Sequence, residues 1–227
     1  MPSMHSKSSA FCKTETRMEF DTALAELPLI AILRGMPSEQ ATDIGTLVRD
    51  AGFTMVEATM NSPQPQVSIR RLADAVGDNL LVGAGTVLSV GDVNEAADAG
   101  ARLIISPNMN PDVIRETRRL ELVSVPGVFT PSEAFTALDA GASALKLFPA
   151  EAIPPSVVKA WLAVLPEGVP LLVTGGITQN NLADYLAAGA SGAGIGSALY
   201  KPGKSLADTG NDAALFVQAY RQAANAR

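Results

Sequence analysis

A single-domain α/β barrel of the (β/α)8 TIM type is the fold that residues 21–227 predict. Three observations carry this expectation. From Leu27 onward, short apolar runs alternate with longer amphipathic segments. Eight such runs recur at a spacing of roughly 20–27 residues, close to the repeat of a barrel of ~250 residues. No Pro/Gly/Ser-rich linker interrupts residues 27–224. A doubly wound open sheet is the rival architecture, but eight nearly equal units favour closure.

The runs are L-I-A-I-L (29–33), T-M-V-E-A (54–58), L-L-V-G-A (80–84), R-L-I-I-S (102–106), L-V-S-V-P (122–126), A-L-K-L-F (144–148), L-L-V-T-G (171–175) and A-G-I-G-S (193–197). Each is about five residues long and bounded by Gly, Pro, Ser or Asn, which suits strands buried on both faces. Between them lie helical patterns such as residues 38–50 and 180–188, and residues 212–224 supply the last helix. D-A-G-F (50–53), D-A-G-A (98–101), D-A-G-A (139–142) and A-A-G-A (187–190) each end a helix before an even-numbered strand. Glycine suits the left-handed position that stops a helix.

The chain is 47% hydrophobic and 18% charged, enough apolar material for one substantial core. A net charge of −6 argues against nucleic acid or an anionic membrane as partner, since both need a basic face. An anionic substrate must then be captured by a local site. No apolar stretch approaches the ~18 residues of a membrane span. The first twenty residues are polar and aperiodic and lack the apolar centre of a secretory signal, so the expected location is cytoplasmic. They read as a disordered extension, with Met18 as the natural start and no loss of activity on deleting residues 1–17. His5 and Cys12, the sole histidine and cysteine, lie there, which argues against a zinc cage, an internal disulfide or a Ser-His-Asp triad.

Strand alternation then selects the interior side chains. On the sixth run Ala144, Lys146 and Phe148 share one face, with Leu145 and Leu147 on the other. On the second, Met55, Glu57 and Thr59 share a face. The leucines, Val56 and Ala58 suit the helix layer, so Lys146 and Glu57 point inward. One reading is a buried ion pair that holds the barrel, although desolvation makes such pairs weak stabilisers. The other is amine catalysis. An unperturbed lysine is neutral in only about one molecule in 2,500 at pH 7. Burial can lower its pKa by ~3 units, which frees the amine to attack a ketone and form an iminium. Glu57 is the available proton shuttle.

Gly-rich turns follow the last two runs, V-T-G-G-I-T (173–178) and G-A-G-I-G-S (192–197). Barrels commonly bind phosphate there through backbone N–H groups. Gly175, Gly176, Gly196 and Ser197 are the candidates, against the plainer reading of tight turns. G-A-G-T (83–86) offers N–H groups and the Thr86 hydroxyl to a carboxylate, or is an ordinary turn. Arg34, ending the first run, supplies a forked cation to the substrate or a rim salt bridge. Trp161 reads as packing, and Glu151 as a favourable charge at a helix N-terminus.

Taken in order, L-P-L-I-A-I-L-R-G, V-E-A-T-M-N-S-P, V-G-A-G-T-V-L, S-P-N, A-L-K-L-F-P-A-E, T-G-G-I and G-I-G-S resemble the class I 2-keto-3-deoxy-6-phosphosugar-acid aldolases over about residues 27–222. The resemblance implies that Lys146 forms the Schiff base, Glu57 is the acid/base, and Thr174 belongs to the catalytic group. It also implies that Arg34, Gly85, Thr86, Pro107 and Phe148 bind substrate, and that the two Gly-rich turns hold its phosphate. The substrate would be a phosphorylated keto acid, cleaved reversibly to pyruvate and glyceraldehyde 3-phosphate. The assembly would be a homotrimer needing no metal or organic cofactor. Within the family, N-S-P (61–63) and I-L-R-G resemble the galactonate-type enzymes, whereas Thr174 and F-P-A-E lean towards the gluconate type. Gluconate or dual use is therefore the alternative to galactonate. A phosphosugar isomerase or epimerase and a silent sugar-phosphate binder are the alternatives of another class.

Overall fold

The structure is a computed structural model, and it describes residues 15–225. His5 and Cys12 lie outside those residues. Strands form along the apolar runs: β1 (Leu29–Leu33), β2 (Met55–Thr59), β3 (Leu81–Gly85), β4 (Leu103–Ile105), β5 (Val123–Val125), β6 (Gly127–Val128), β7 (Leu145–Leu147), β8 (Leu171–Thr174) and β9 (Gly192–Ile195). All are paired in parallel, in the order β5-β4-β3-β2-β1-β9-β8-β7-β6. The two ends of that list are halves of one segment. The fifth run, expected as one strand ending at Pro126, instead resumes beyond that residue, which has no N–H to give to a ladder, as a second short strand. Its first half pairs with β4 and its second with β7. The Ser143 and Ala144 N–H groups donate to the Ser124 carbonyl at 2.8 and 3.3 Å, and the Lys146 N–H to the Pro126 carbonyl at 2.9 Å. The sheet is thereby closed into the expected barrel.

Helices α2 (Ala41–Ala51), α3 (Pro65–Val76), α4 (Val90–Asp98), α5 (Pro111–Arg119), α6 (Pro131–Asp139), α7 (Pro155–Leu162), α8 (Leu182–Ala187) and α9 (Leu206–Asn225) connect or follow the strands. Gly52, Gly100, Gly141 and Gly189, the glycines of the repeated tetrapeptide, all hold φ of 100–103° and end their helices as expected. Alternation divides each strand between two cores. Leu29, Ala31, Leu33, Val56, Ala58, Leu145 and Leu147 pack into the layer beneath the helices with buried Trp161. Ile30, Met55, Leu81, Leu103, Val123, Ala144 and Leu172 fill the barrel interior.

The N-terminal boundary differs from expectation. Helix α1 spans Glu15–Glu26, so residues 15–20 belong to the fold and Met18 lies inside a helix rather than at its edge. Phe20, Ala23, Leu24 and Leu27 recur at i, i+3, i+4 and i+7, an apolar stripe. Phe20, fully buried, packs with Ala23 among the interior residues and closes the N-terminal end of the barrel. The Thr54 hydroxyl donates to the Ala23 and Leu27 carbonyls at 3.0 and 2.8 Å. Arg17 donates to the Ser143 carbonyl at 2.8 Å, and Arg102 pairs with Glu19 at 2.7 Å. Phe20→Ala should cost about 3 kcal/mol, read as a lower denaturation midpoint at unchanged m value; an unchanged midpoint would show that the helix is not part of the core. No helix among the described residues is long and apolar enough to cross a membrane.

Candidate active site

Lys146 and Glu57 both face the barrel interior, as strand alternation requires. They are 5% and 1% exposed, and they line one small cavity with Ile30, Ile32, Ile105, Val125, Leu172, Thr174 and Gly194. β2 and β7 are not neighbours in the sheet; β1, β9 and β8 separate them on one side and β3 to β6 on the other. The carboxylate and the amine therefore reach the cavity from opposite walls. Burial raises the Glu57 carboxyl above its ordinary 4.5, while the Lys146 and Arg34 charges pull it back. Burial lowers the Lys146 amine from 10.5; Glu57 opposes that shift and Arg34 adds to it. Each group is thus drawn towards its neutral form. Glu57 Oε2 is buried with no hydrogen-bond partner, so one acceptor of the carboxylate is left for a proton or a substrate hydroxyl.

Two glycines make the room for this. A Cβ at Gly85 would lie 2.3 Å from Glu57 Oε1, so the carboxylate rests where a side chain of residue 85 would stand. A Cβ at Gly194 would lie 2.6 Å from Thr174 Oγ1, and Thr174 is 6% exposed on the cavity wall. Thr86, the next residue after β3, holds φ of 56°, a strained left-handed backbone for a threonine. It follows Gly85, the residue over which the Glu57 carboxylate rests. The Lys146 Nζ sits 5.1 Å from the centroid of the Phe148 ring, whose π face favours a developing cation. Pro107, partly exposed at the exit of β4, has its carbonyl packed against Gly127.

Arg34 extends the inward face of Ile30 and Ile32 to the barrel mouth, where it is exposed. The Gly175/Gly176 turn (φ 100° and 68°) and the Gly196/Ser197 turn leave β8 and β9, which are paired, so the two turns are side by side. Asn181 shapes the first: its amide donates to the Gly176 carbonyl and its oxygen accepts from the Thr178 N–H, both at 2.8 Å. The second is open, and a Cβ at Gly196 would meet nothing within 4 Å. Glu151 lies in a 3-10 turn (Ala150–Ala152) against Gly176, not at the start of α7 as its sequence suggested. Among the described residues no group of three or more His, Cys, Asp or Glu could hold a metal.

Thr59, Asn61, Ser62 and Gln64, at and after the exit of β2, were not among the site candidates that the sequence offered. Their signal was the polar N-S-P turn at the exit of β2, which bonds to the exit of β1.

A closed parallel barrel in which, among the described residues, one buried lysine stands opposite one buried carboxylate has the layout of a lyase that works on carbonyl carbons. The chain belongs to the KDPG and KHG aldolase family, whose model matches residues 20–214. It is 48% identical to the 2-dehydro-3-deoxy-6-phosphogalactonate aldolase of Escherichia coli over 87% of this chain and 97% of that protein. With the 2-dehydro-3-deoxy-phosphogluconate aldolase of Pseudomonas aeruginosa it shares 35% identity over 71% of each. A solved native KDPGal structure superposes with a TM-score of 0.87 at 48% identity, covering 88% of this chain and 97% of that one. A protein cage designed by fusing symmetric oligomeric domains matches at the same TM-score, 0.87, and 48% identity, covering 88% of this chain and 74% of that one. The chain is thus an aldolase, and the isomerase, epimerase and silent-binder readings are set aside.

Proposed function

We propose that this aldolase cleaves 2-dehydro-3-deoxy-6-phosphogalactonate to pyruvate and glyceraldehyde 3-phosphate through a Schiff base on Lys146. The observation that carries the proposal is the pairing of a buried amine and a buried carboxylate across one cavity. The neutral Lys146 amine attacks the C2 ketone, and loss of water gives an iminium. Glu57 takes the proton of the C4 hydroxyl. The C3–C4 bond breaks, its electrons flow into the iminium, and glyceraldehyde 3-phosphate leaves. The remaining enamine takes a proton at C3 from Glu57 to become a methyl group. Water then hydrolyses the iminium, releasing pyruvate and free Lys146, so the water lost at the start is consumed at the end.

Around this pair, Gly85 and Thr86 receive the carboxylate, and Arg34, Pro107 and Phe148 line the substrate's path. Thr174 completes the catalytic group, and the Gly175/Gly176 and Gly196/Ser197 turns hold the phosphate through N–H groups. The galactonate epimer is favoured by the 48% identity to the Escherichia coli enzyme against 35% to the gluconate enzyme. Dual use of both C4 epimers is the second reading, and the Thr174 hydroxyl on the cavity wall speaks for it. Measuring kcat/KM on the two epimers decides between them. The galactonate epimer should lead by at least about tenfold, and equal values would establish dual use.

The assembly in this reading is a homotrimer. Leu88 and Phe129 at the exits of β3 and β6, with Val90 and Phe135 on the helices that follow, keep 40–51% of their surface exposed, apolar surface that a contact between subunits would cover. The relative in the designed cage supports symmetric assembly. The cytoplasm is the proposed location, since a phosphorylated sugar acid is confined by membranes.

A further inference from the structure

The exits of β1 and β2 are buckled together by side chains that the chemistry above does not use. The Gly35 N–H donates to Ser62 Oγ at 2.8 Å, and the Thr59 and Ser62 hydroxyls are 2.8 Å apart. Further out, the Ser38 hydroxyl donates to Gln64 Oε1 at 3.0 Å, and Arg71 donates to the Ser38 carbonyl at 2.8 Å. Gln64 holds φ of 45°, a costly backbone for a residue with a side chain. Thr59 and Ser62 are buried, so the inner part of this buckle is shielded by the fold. At its outer edge the Arg34 guanidinium donates from Nη1 to Asn61 Oδ1 at 3.4 Å.

An exposed arginine samples many rotamers, and a charge that swings into water is screened. We propose that Asn61 is a positioning residue: carried on the β1–β2 buckle, it holds the Arg34 guanidinium over the barrel mouth, so that one fixed positive charge faces Lys146 and Glu57. Its consequence for catalysis rests on the Schiff-base reading, but the positioning is a property of the folded chain alone. A neighbouring cation favours a neutral amine, and Arg34 acts in that direction on Lys146. Glu57 on β2 is the opposing charge. The rest of the wall, from β4, β5, β8 and β9, is Ile105, Val125, Leu172, Thr174 and Gly194, with nothing to titrate.

The test is a pH titration of the free enzyme containing lysine labelled with 13C at Cε, the Lys146 signal being the one lost in K146M. R34Q should move the Lys146 midpoint up by about half a pH unit or more. N61A should move it part of that way in the same direction, and N61A/R34Q should match R34Q alone. A wild-type midpoint in N61A, or an N61A shift that persists in the R34Q background, overturns the proposal. Trapping with pyruvate and borohydride is run alongside. If the NMR shifts appear but the wild type gives no adduct, the Schiff-base reading fails and the positioning role stands.

Discussion

Lys146→Met is expected to abolish aldol cleavage, by at least ~10⁴-fold, and to prevent any pyruvate adduct stable to borohydride. Methionine keeps the length and apolar bulk of the side chain and removes only the amine. Arginine at the same position should be equally inactive, because a guanidinium stays protonated and cannot attack a ketone. Peptide mass mapping after reduction reads the result: the parent carries pyruvate on Lys146 and neither variant carries it anywhere. Cleavage by K146M, or an adduct on Lys159, Lys201 or Lys204, would remove Lys146 from the mechanism. The fold should survive, with a predictable change in its pH dependence. The amine's pKa is lowered by burial in the native state, so the unfolded chain binds the extra proton between that lowered value and 10.5. Stability therefore rises with pH across this window. In K146M that rise should be missing from denaturant midpoints taken at successive pH values.

Glu57→Gln is the second large effect, a loss of ~10²–10⁴ in kcat with pyruvate trapping on Lys146 slowed much less than turnover. The glutamine fills the same space over Gly85 but cannot take the C4 proton or return one to C3. Exchange of the pyruvate methyl protons with deuterated solvent isolates this step and should be lost in E57Q. Near-normal exchange would assign the proton shuttle to another group. The stability prediction has the opposite sign from that of the lysine. Burial raises the Glu57 pKa, so the native state holds its proton more tightly. That contribution is complete below 4.5 and is lost as pH rises through the raised value. E57Q should be flat over this window and gain on the parent at its upper end. A site more stable without its carboxylate is one whose carboxylate serves function.

Much of the candidate site's layout was legible residue by residue. A strand alternates its side chains every second position whatever lies around it, so Leu145 and Leu147 on one face were enough to turn Lys146 inward. The same rule turned Glu57 inward from Val56 and Ala58. The tetrapeptide glycines were legible for an equally local reason, the Cβ clash that excludes other residues from a left-handed helix end. Helix α1 was legible in principle, since its apolar stripe is visible, but the polar run before it led the boundary past Glu15. Pro126 marked the end of one strand in the sequence. That a second strand resumes at Gly127 and seals the barrel depends on β7, a partner that arrives later in the chain.

Periodicity and turn chemistry in the chain settle the barrel, its inward lysine and its inward glutamate, because backbone geometry acts over a few residues. Only the folded molecule decides that the two stand on opposite walls of one small cavity, that Gly85 cedes its side-chain space to the Glu57 carboxylate, and that Asn61 meets Arg34. Those relations are set by strand order and register, such as Ile32 beside Glu57 and Glu57 beside Gly83. They arise between segments far apart in the chain, where no local pattern reaches.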